Sequence, residues 1–317
     1  MKTLFIMNSH AGSVDRTSSV IEAIKEYISS HNNETIEIHE TASVGEAETY
    51  ASKWCRENIS EDSLYVFACG GDGTVNEVLN GVISYDNVSL GIVPIGTGND
   101  FCRSIPEAGD FLDISAQMEG SAVRCDVIRY SGDIDGKQSA RYCANMFNIG
   151  FDCNVVDMTA KVKRSRFISG SLAYLVSVLI ILIKKKGANL KIELDGKVFQ
   201  DGRLLLTSIA NGRFCGGGVM SNPLASLCDG YMDVNIVHNV SRLRFLKLFP
   251  SYQKGTHIDI EGIEKTVEPH KCRKAVVTPL DGSMRLCTDG EITDAGIITF
   301  EIVPSAVNVI VPKKGSK

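Results

Sequence analysis

Apolar and polar positions recur along the chain with two different periods, and the change from one to the other divides it. Over the first 120 residues, strand-like segments at 3–8, 35–40, 63–69 and 89–95 alternate with helical stretches at 16–30, 44–57 and 75–82. The run at 63–69 is apolar and aromatic enough to predict a buried strand, and 75–82 carries apolar residues at helical spacing. Such alternation predicts a parallel sheet with helices on its faces. From about residue 122 the texture becomes that of short strands, at 123–130, 140–149, 190–194, 203–211, 230–237, 275–280, 285–288 and 297–303, many separated by Gly or Asp-Gly turns. That spacing predicts an antiparallel sandwich with one helix inserted near 168–186.

The strand at 63–69 runs directly into Gly70-Gly71-Asp72-Gly73-Thr74-Val75-Asn76-Glu77. Glycines between a strand and a helix let a ligand approach the backbone, and the free N–H groups and dipole of the helix that follows favour phosphate. Asp72 beside phosphate is repulsive unless a divalent cation or a mobile proton lies between them. Phosphoryl transfer is the chemistry this implies. The spacing Thr74-x-x-Glu77 also reads as a capping box, in which both side chains serve only the helix. Ligands of parallel sheets bind at the carboxyl ends of strands, so loops 8–12, 70–74 and 96–100 are expected to converge on one nucleotide site.

Composition narrows the classes. At 317 residues the chain suits two domains, and 44% hydrophobic with 22% charged residues is ordinary for a globular protein. A net charge of −5 argues against nucleic acid as a partner. Ten cysteines are scattered without a Cys-x-x-Cys pair, which suggests neither a zinc site nor a disulfide framework. The apolar run at 172–183 is too short to span a bilayer, but its basic flanks, Lys161, Lys163, Arg164 and Arg166 before and Lys184, Lys185 and Lys186 after, suit either a buried core helix with solvated charged ends or one at a lipid surface. The N-terminal apolar stretch is too short for a signal-peptide core, and the cytoplasm is the expected compartment.

No Gly-x-x-x-x-Gly-Lys-Ser/Thr is present, and 71–76 lacks the third glycine of the dinucleotide fingerprint. Instead four motifs in order, Gly70-Gly71-Asp72-Gly73-Thr74-Val75-Asn76-Glu77-Val78, Pro94-x-Gly96-Thr97-Gly98-Asn99-Asp100-Phe101, Cys228-Asp229-Gly230-Tyr231-Met232-Asp233 and Asp289-Gly290-Glu291, resemble the diacylglycerol kinase catalytic family of lipid kinases, closest to its compact bacterial members. The resemblance covers essentially the whole chain. Ser9 departs from the family's Asn-Pro-x-x-Gly, and Met232 from its usual leucine.

The resemblance implies an α/β nucleotide-binding domain of NAD kinase/phosphofructokinase type at 1–122, a β-sandwich domain at 123–304, and a final strand near 305–317 returning to the first domain. It implies ATP and Mg2+ as cofactors. Its ATP-binding residues fall on Asn8, Ser9, His10, Ala11 and Gly12, on Thr41, on Gly71, Asp72, Gly73, Thr74, Val75, Asn76 and Glu77, and on Thr97. Without the resemblance, Thr41 reads as a helix cap before 44–57. Its magnesium ligands fall on the Asp229 carboxylate and on the carbonyls of Ser226 and Tyr231, although Asp229-Gly230 alone is an ordinary turn. Its proton acceptor falls on Glu291, with Asp289 in the same turn and Asp72 beside the phosphates as further catalytic carboxylates.

The acceptor implied is a lipid alcohol, diacylglycerol first, met at a membrane surface, with peripheral membrane association and a homodimer as family expectations. Two rivals are an NAD kinase, suggested by Gly170-Ser171-Leu172-Ala173-Tyr174, and a lipid-binding relative without turnover. Retention of Asp72, Asp229 and Glu291 speaks against the second.

Overall fold

The computed structural model describes residues 2–9, 11, 12, 14–31, 35–105, 108–151, 153 and 187–315. The helix expected at 168–186 and the NAD-kinase-like stretch at 170–174 lie outside them. Two compact units are present, Met1–Val127 with Pro304–Lys317, and Ile128–Val303.

The first unit alternates β1 (Lys2–Met7), α1 (Val14–Ser30), β2 (Thr35–Glu40), α2 (Glu46–Glu57), β3 (Leu64–Gly70), α3 (Asp72–Val82) and β4 (Val88–Pro94), followed by two short helices, α4 (Asp100–Ser104) and α5 (Ile114–Met118). Its strands lie in the order β4-β3-β1-β2, all parallel. The far end of β15 (Glu291–Val311) adds a fifth parallel strand, pairing Asn308 and Val309 with Ser89 and Leu90 of β4. Strands covered on both faces are uniformly apolar: in β1 every residue from Leu4 to Met7 is buried, and in β3 only Tyr65 is not. Phe5 and Phe67, opposite each other in the register, stack at 4.5 Å between centroids. Truncating such a ring to alanine costs about 3–5 kcal/mol.

The second unit is built from antiparallel pairs. Its strands include β6 (Lys137–Cys143), β7 (Met146–Gly150), β8 (Ala188–Leu194), β9 (Lys197–Leu204), β10 (Leu206–Ala210), β11 (Met232–Val237), β12 (Val267–Cys272), β13 (Lys274–Pro279) and β14 (Met284–Thr288), with β5 (Ser121–Ile134) entering it and β15 leaving it. One path runs β12-β11-β10-β7-β14-β15, a second β15-β13-β8-β9, and β5 pairs with β6 and β15. Phe147 is at the centre of the core, edge-on to Tyr130 and Phe300 at 4.8 Å each.

Three local differences from the sequence expectation have physical causes. The strand expected at 140–149 breaks at Ala144 and Asn145, where the Asn145 carbonyl accepts the N–H groups of Asn211 and Gly212. The strand expected at 203–211 breaks at Leu205 because the two halves have different partners, β8 before it and β7 and β11 after it. Between β11 and β12 lies α6 (Arg242–Lys254), capped by the Ser241 hydroxyl on the Arg244 N–H.

Candidate functional site

In the first unit the loops after β1, β3 and β4 lie side by side because their strands do. They are joined backbone to backbone. The Gly96 N–H donates to the Gly70 carbonyl at 3.1 Å, and the Asn8 N–H to the Cys69 carbonyl at 2.9 Å. A side chain on Gly96 would strike the Cα of Gly71, and Gly12, at φ 78°, passes against the carbonyl of Ile95. The Asn8 side-chain amide donates to the Thr74 hydroxyl at 3.0 Å, linking the first loop to α3. His10 lies outside the described residues, while Ser9 and Thr97 are exposed and Ala11 half-buried on this rim.

Helix α3 begins at Asp72 with Gly71 as its cap residue and no side-chain cap. The capping box at Thr74 and Glu77 is therefore not formed, since both lie inside the helix. Glu77 instead reaches α2, accepting the N–H groups of Gly45 at 2.9 Å and Ala47 at 3.2 Å. Val75 is buried and its N–H donates to the Gly71 carbonyl; the Asn76 carbonyl accepts from Asn80. What the turn presents is the backbone of Gly71, Asp72 and Gly73, in the helical turn whose N–H groups have no helical acceptor. Thr41 is not a cap either. It is buried, and both its N–H and its hydroxyl donate to the Met7 carbonyl, at 2.9 and 3.3 Å.

The Asp72 carboxylate bridges to the next loop, where its Oδ1 accepts the Asp100 N–H at 2.9 Å and the Phe101 N–H at 3.5 Å. Burial raises its carboxyl above the ordinary range, and the backbone N–H groups of Phe101, Asp100 and Asn99 oppose that.

In the second unit, Ser226, Asp229 and Tyr231 share one loop. Asp229 Oδ1 accepts the Tyr231 N–H at 3.1 Å, and its Oδ2 accepts the ammonium of Lys271 at 2.5 Å. Lys271 stands opposite Asp233 in the β11–β12 register and lies 3.4 Å from its Oδ2. Burial lifts the Asp233 carboxyl to about 6 against the pull of Lys271. With one oxygen on a backbone N–H and the other on an ammonium, Asp229 as arranged does not fit a metal ion. Among the described residues no group of three or more His, Cys, Asp or Glu side chains is placed to hold one.

Asp289 and Gly290, at φ 46° and 94°, form the two-residue hairpin between β14 and β15, closed by the pair Thr288 and Glu291. The Asp289 carboxylate is held on both oxygens, by the Met146 N–H at 3.0 Å and the Cys143 thiol at 3.1 Å. It pins the turn, and leaves Glu291 exposed at the start of β15. Beside α6 is an apolar cavity that the sequence did not signal, lined by Phe151, Leu206, Val237, Phe245, Leu248 and Val267 among others.

Two family models match the chain, the diacylglycerol kinase catalytic domain over residues 2–130 and the YegS C-terminal NAD kinase beta sandwich-like domain over 145–311. Proteins of Staphylococcus aureus strains Mu3 and Newman, each named "Putative lipid kinase", are 30% identical over 281 residues, covering 86% of this chain and 86% of each relative. The chain belongs to the diacylglycerol kinase family of lipid kinases. The fold of this lipid kinase is also that of a solved diacylglycerol kinase from Bacillus anthracis str. Sterne, with a TM-score of 0.66 at 20% identity, covering 98% of this chain and 96% of that one. The NAD kinase alternative is disfavoured. No described helix of the lipid kinase is long and apolar enough to cross a membrane.

Proposed function

We propose that this lipid kinase transfers the γ-phosphoryl group of ATP to the hydroxyl of diacylglycerol, giving phosphatidic acid. The observation that carries the choice of a lipid acceptor is the cavity beside α6, whose lining is apolar apart from Tyr252 and Thr266. A lining of that character suits an acyl chain better than a nucleotide acceptor, which needs polar partners.

On the donor side, the first turn of α3 supports phosphate binding through its N–H groups and dipole. Mg2+ carried on the nucleotide phosphates would offset their charge. Asp72, tied to the loop of Asp100, holds two of the three loops in register around that turn. On the acceptor side, we assign Glu291 the proton of the attacking hydroxyl. A bond forms between the lipid oxygen and the γ-phosphorus as the bond to the bridging oxygen of ATP breaks, ADP leaves, and the proton goes to Glu291. Asp289, with both oxygens engaged, positions the turn.

The outward side of α6 supports docking at a membrane surface. Leu243 and Leu246 are 74% and 44% exposed, and Arg242, Arg244 and Lys247 flank them. Apolar side chains among basic ones favour the headgroup region of an anionic bilayer.

The deciding experiment incubates the purified chain with radiolabelled ATP, Mg2+ and mixed micelles of diacylglycerol, monoacylglycerol or a sphingoid base, with NAD as a parallel acceptor. Label in phosphatidic acid is expected. Label in NADP alone, or in no lipid, would overturn the proposal.

A further inference from the structure

Lys271 sits where the family resemblance puts a metal ion. Its ammonium touches Asp229 Oδ2 at 2.5 Å and lies 3.4 Å from Asp233 Oδ2, so a carboxylate of the loop before β11 and one of β11 itself converge on one positive charge of the chain. The placement is built into the sheet, since Lys271 and Asp233 are directly opposed on β12 and β11. The Asp233 side chain is only 9% exposed, and among the described residues its Oδ2 has no hydrogen-bond donor besides this ion pair. Two residues on from Lys271, the Arg273 guanidinium lies over the Tyr231 ring at 5.0 Å, so a second positive charge borders the same loop.

We propose that Lys271 is the resident cation of the Asp229 site, so that a divalent ion binds there weakly in the native chain and binds well once Lys271 is removed. A metal approaching Asp229 meets an ammonium already on the oxygen it needs, and like charges at that separation repel strongly where water is partly excluded. Displacing the lysine also strips Asp233 of its ion-pair partner, which a buried carboxylate tolerates poorly. Under this assignment the divalent ion needed for turnover is the one carried by the nucleotide, and the second unit supplies its own positive charge through Lys271. The inference rests on the family reading of Asp229 as a ligand position, but not on turnover.

The test measures Mn2+ binding to the full chain without nucleotide, from the loss of the free-ion electron paramagnetic resonance signal. Four proteins are compared: the native chain, Lys271→Met, Asp229→Asn and the double variant, with circular dichroism to confirm folding. Lys271→Met is expected to gain one saturable site at least tenfold tighter than any in the native chain. The double variant is expected to lose it, and Asp229→Asn is expected to match the native chain. The inference is overturned if Asp229→Asn weakens native Mn2+ binding tenfold, or if Lys271→Met binds no tighter than the native chain. Should Lys271→Met not fold, Lys271→Gln, which keeps a hydrogen bond without the charge, makes the same comparison. Because nothing is turned over, a native chain inactive on every lipid would sink the proposed function and leave this result standing.

Discussion

Glu77, on the helix that follows the glycine turn, caps the neighbouring helix: its carboxylate accepts the Gly45 N–H at 2.9 Å and the Ala47 N–H at 3.2 Å. The expected consequence is structural. Glu77→Ala removes two charge-assisted hydrogen bonds at the start of α2 and lowers stability by about 1–2 kcal/mol, read from urea unfolding midpoints. Glu77→Gln, which keeps one acceptor oxygen, recovers part of that. Unchanged stability with ATP binding lost would place Glu77 on the nucleotide instead.

Glu291→Gln keeps the hairpin, whose geometry depends on Asp289 and Gly290, and removes the proposed proton acceptor. ATP affinity by fluorescence titration is expected to stay within about twofold, while kcat falls by about 10²–10⁴. A variant that turns over at the native rate would move the base elsewhere.

Leu248 lines the cavity from α6. Leu248→Trp fills part of that space, so kcat/KM for long-chain diacylglycerol is expected to drop by about tenfold or more, with short-chain substrate affected less and ATP affinity unchanged. Equal losses for both chain lengths would mean the cavity does not hold the acyl chain.

His257 gives a pH dependence with a definite sign. Its side chain is buried beside Tyr252, at 4.8 Å between rings, and burial lowers its pKa below the ordinary histidine value. The unfolded chain then binds more protons than the folded one between that lowered value and about 6.5, so stability is present above that window and is lost as pH falls through it. Urea midpoints at pH 7.5 and 5.5 are expected to show a larger acid loss for the native chain than for His257→Gln. Equal losses would remove His257 as a cause.

The parallel unit was legible because β1, β3 and β4 are near-continuous apolar runs ending in glycine or a polar turn, a pattern strong enough to survive in one sequence, and β2 alternates as Thr-Ile-Glu-Ile-His-Glu between two helices. The stretch between β11 and β12 was not. Helix α6 carries Pro250 and has apolar residues on both sides, Phe245 and Leu248 inward and Leu243 and Leu246 outward, which blurs the helical period. Strand β12 reads Val-Glu-Pro-His-Lys-Cys, and Pro269 argues against a strand except at an edge, where β12 lies among the described residues, pairing there with β11 alone. In the site, the loops were visible as motifs, but partners were not. Spacing suggested that Glu77 served its own helix because nothing in one sequence shows that α3 starts two residues before Thr74. Lys271 belongs to no motif, and only the register of β11 against β12 brings it to Asp229.

The pairing of Asn308 and Val309 with β4 has a consequence for how the protein is made. Residues 1–127 leave the ribosome about 180 residues before the strand that flanks β4, on the order of ten seconds or more at ordinary rates of synthesis. During that interval the apolar β4, from Val88 to Val93, has one side of its backbone unpaired. An open edge of that composition recruits foreign strands, so the nascent chain is expected to depend on chaperones over this interval and to be released from that dependence when residues 304–311 arrive.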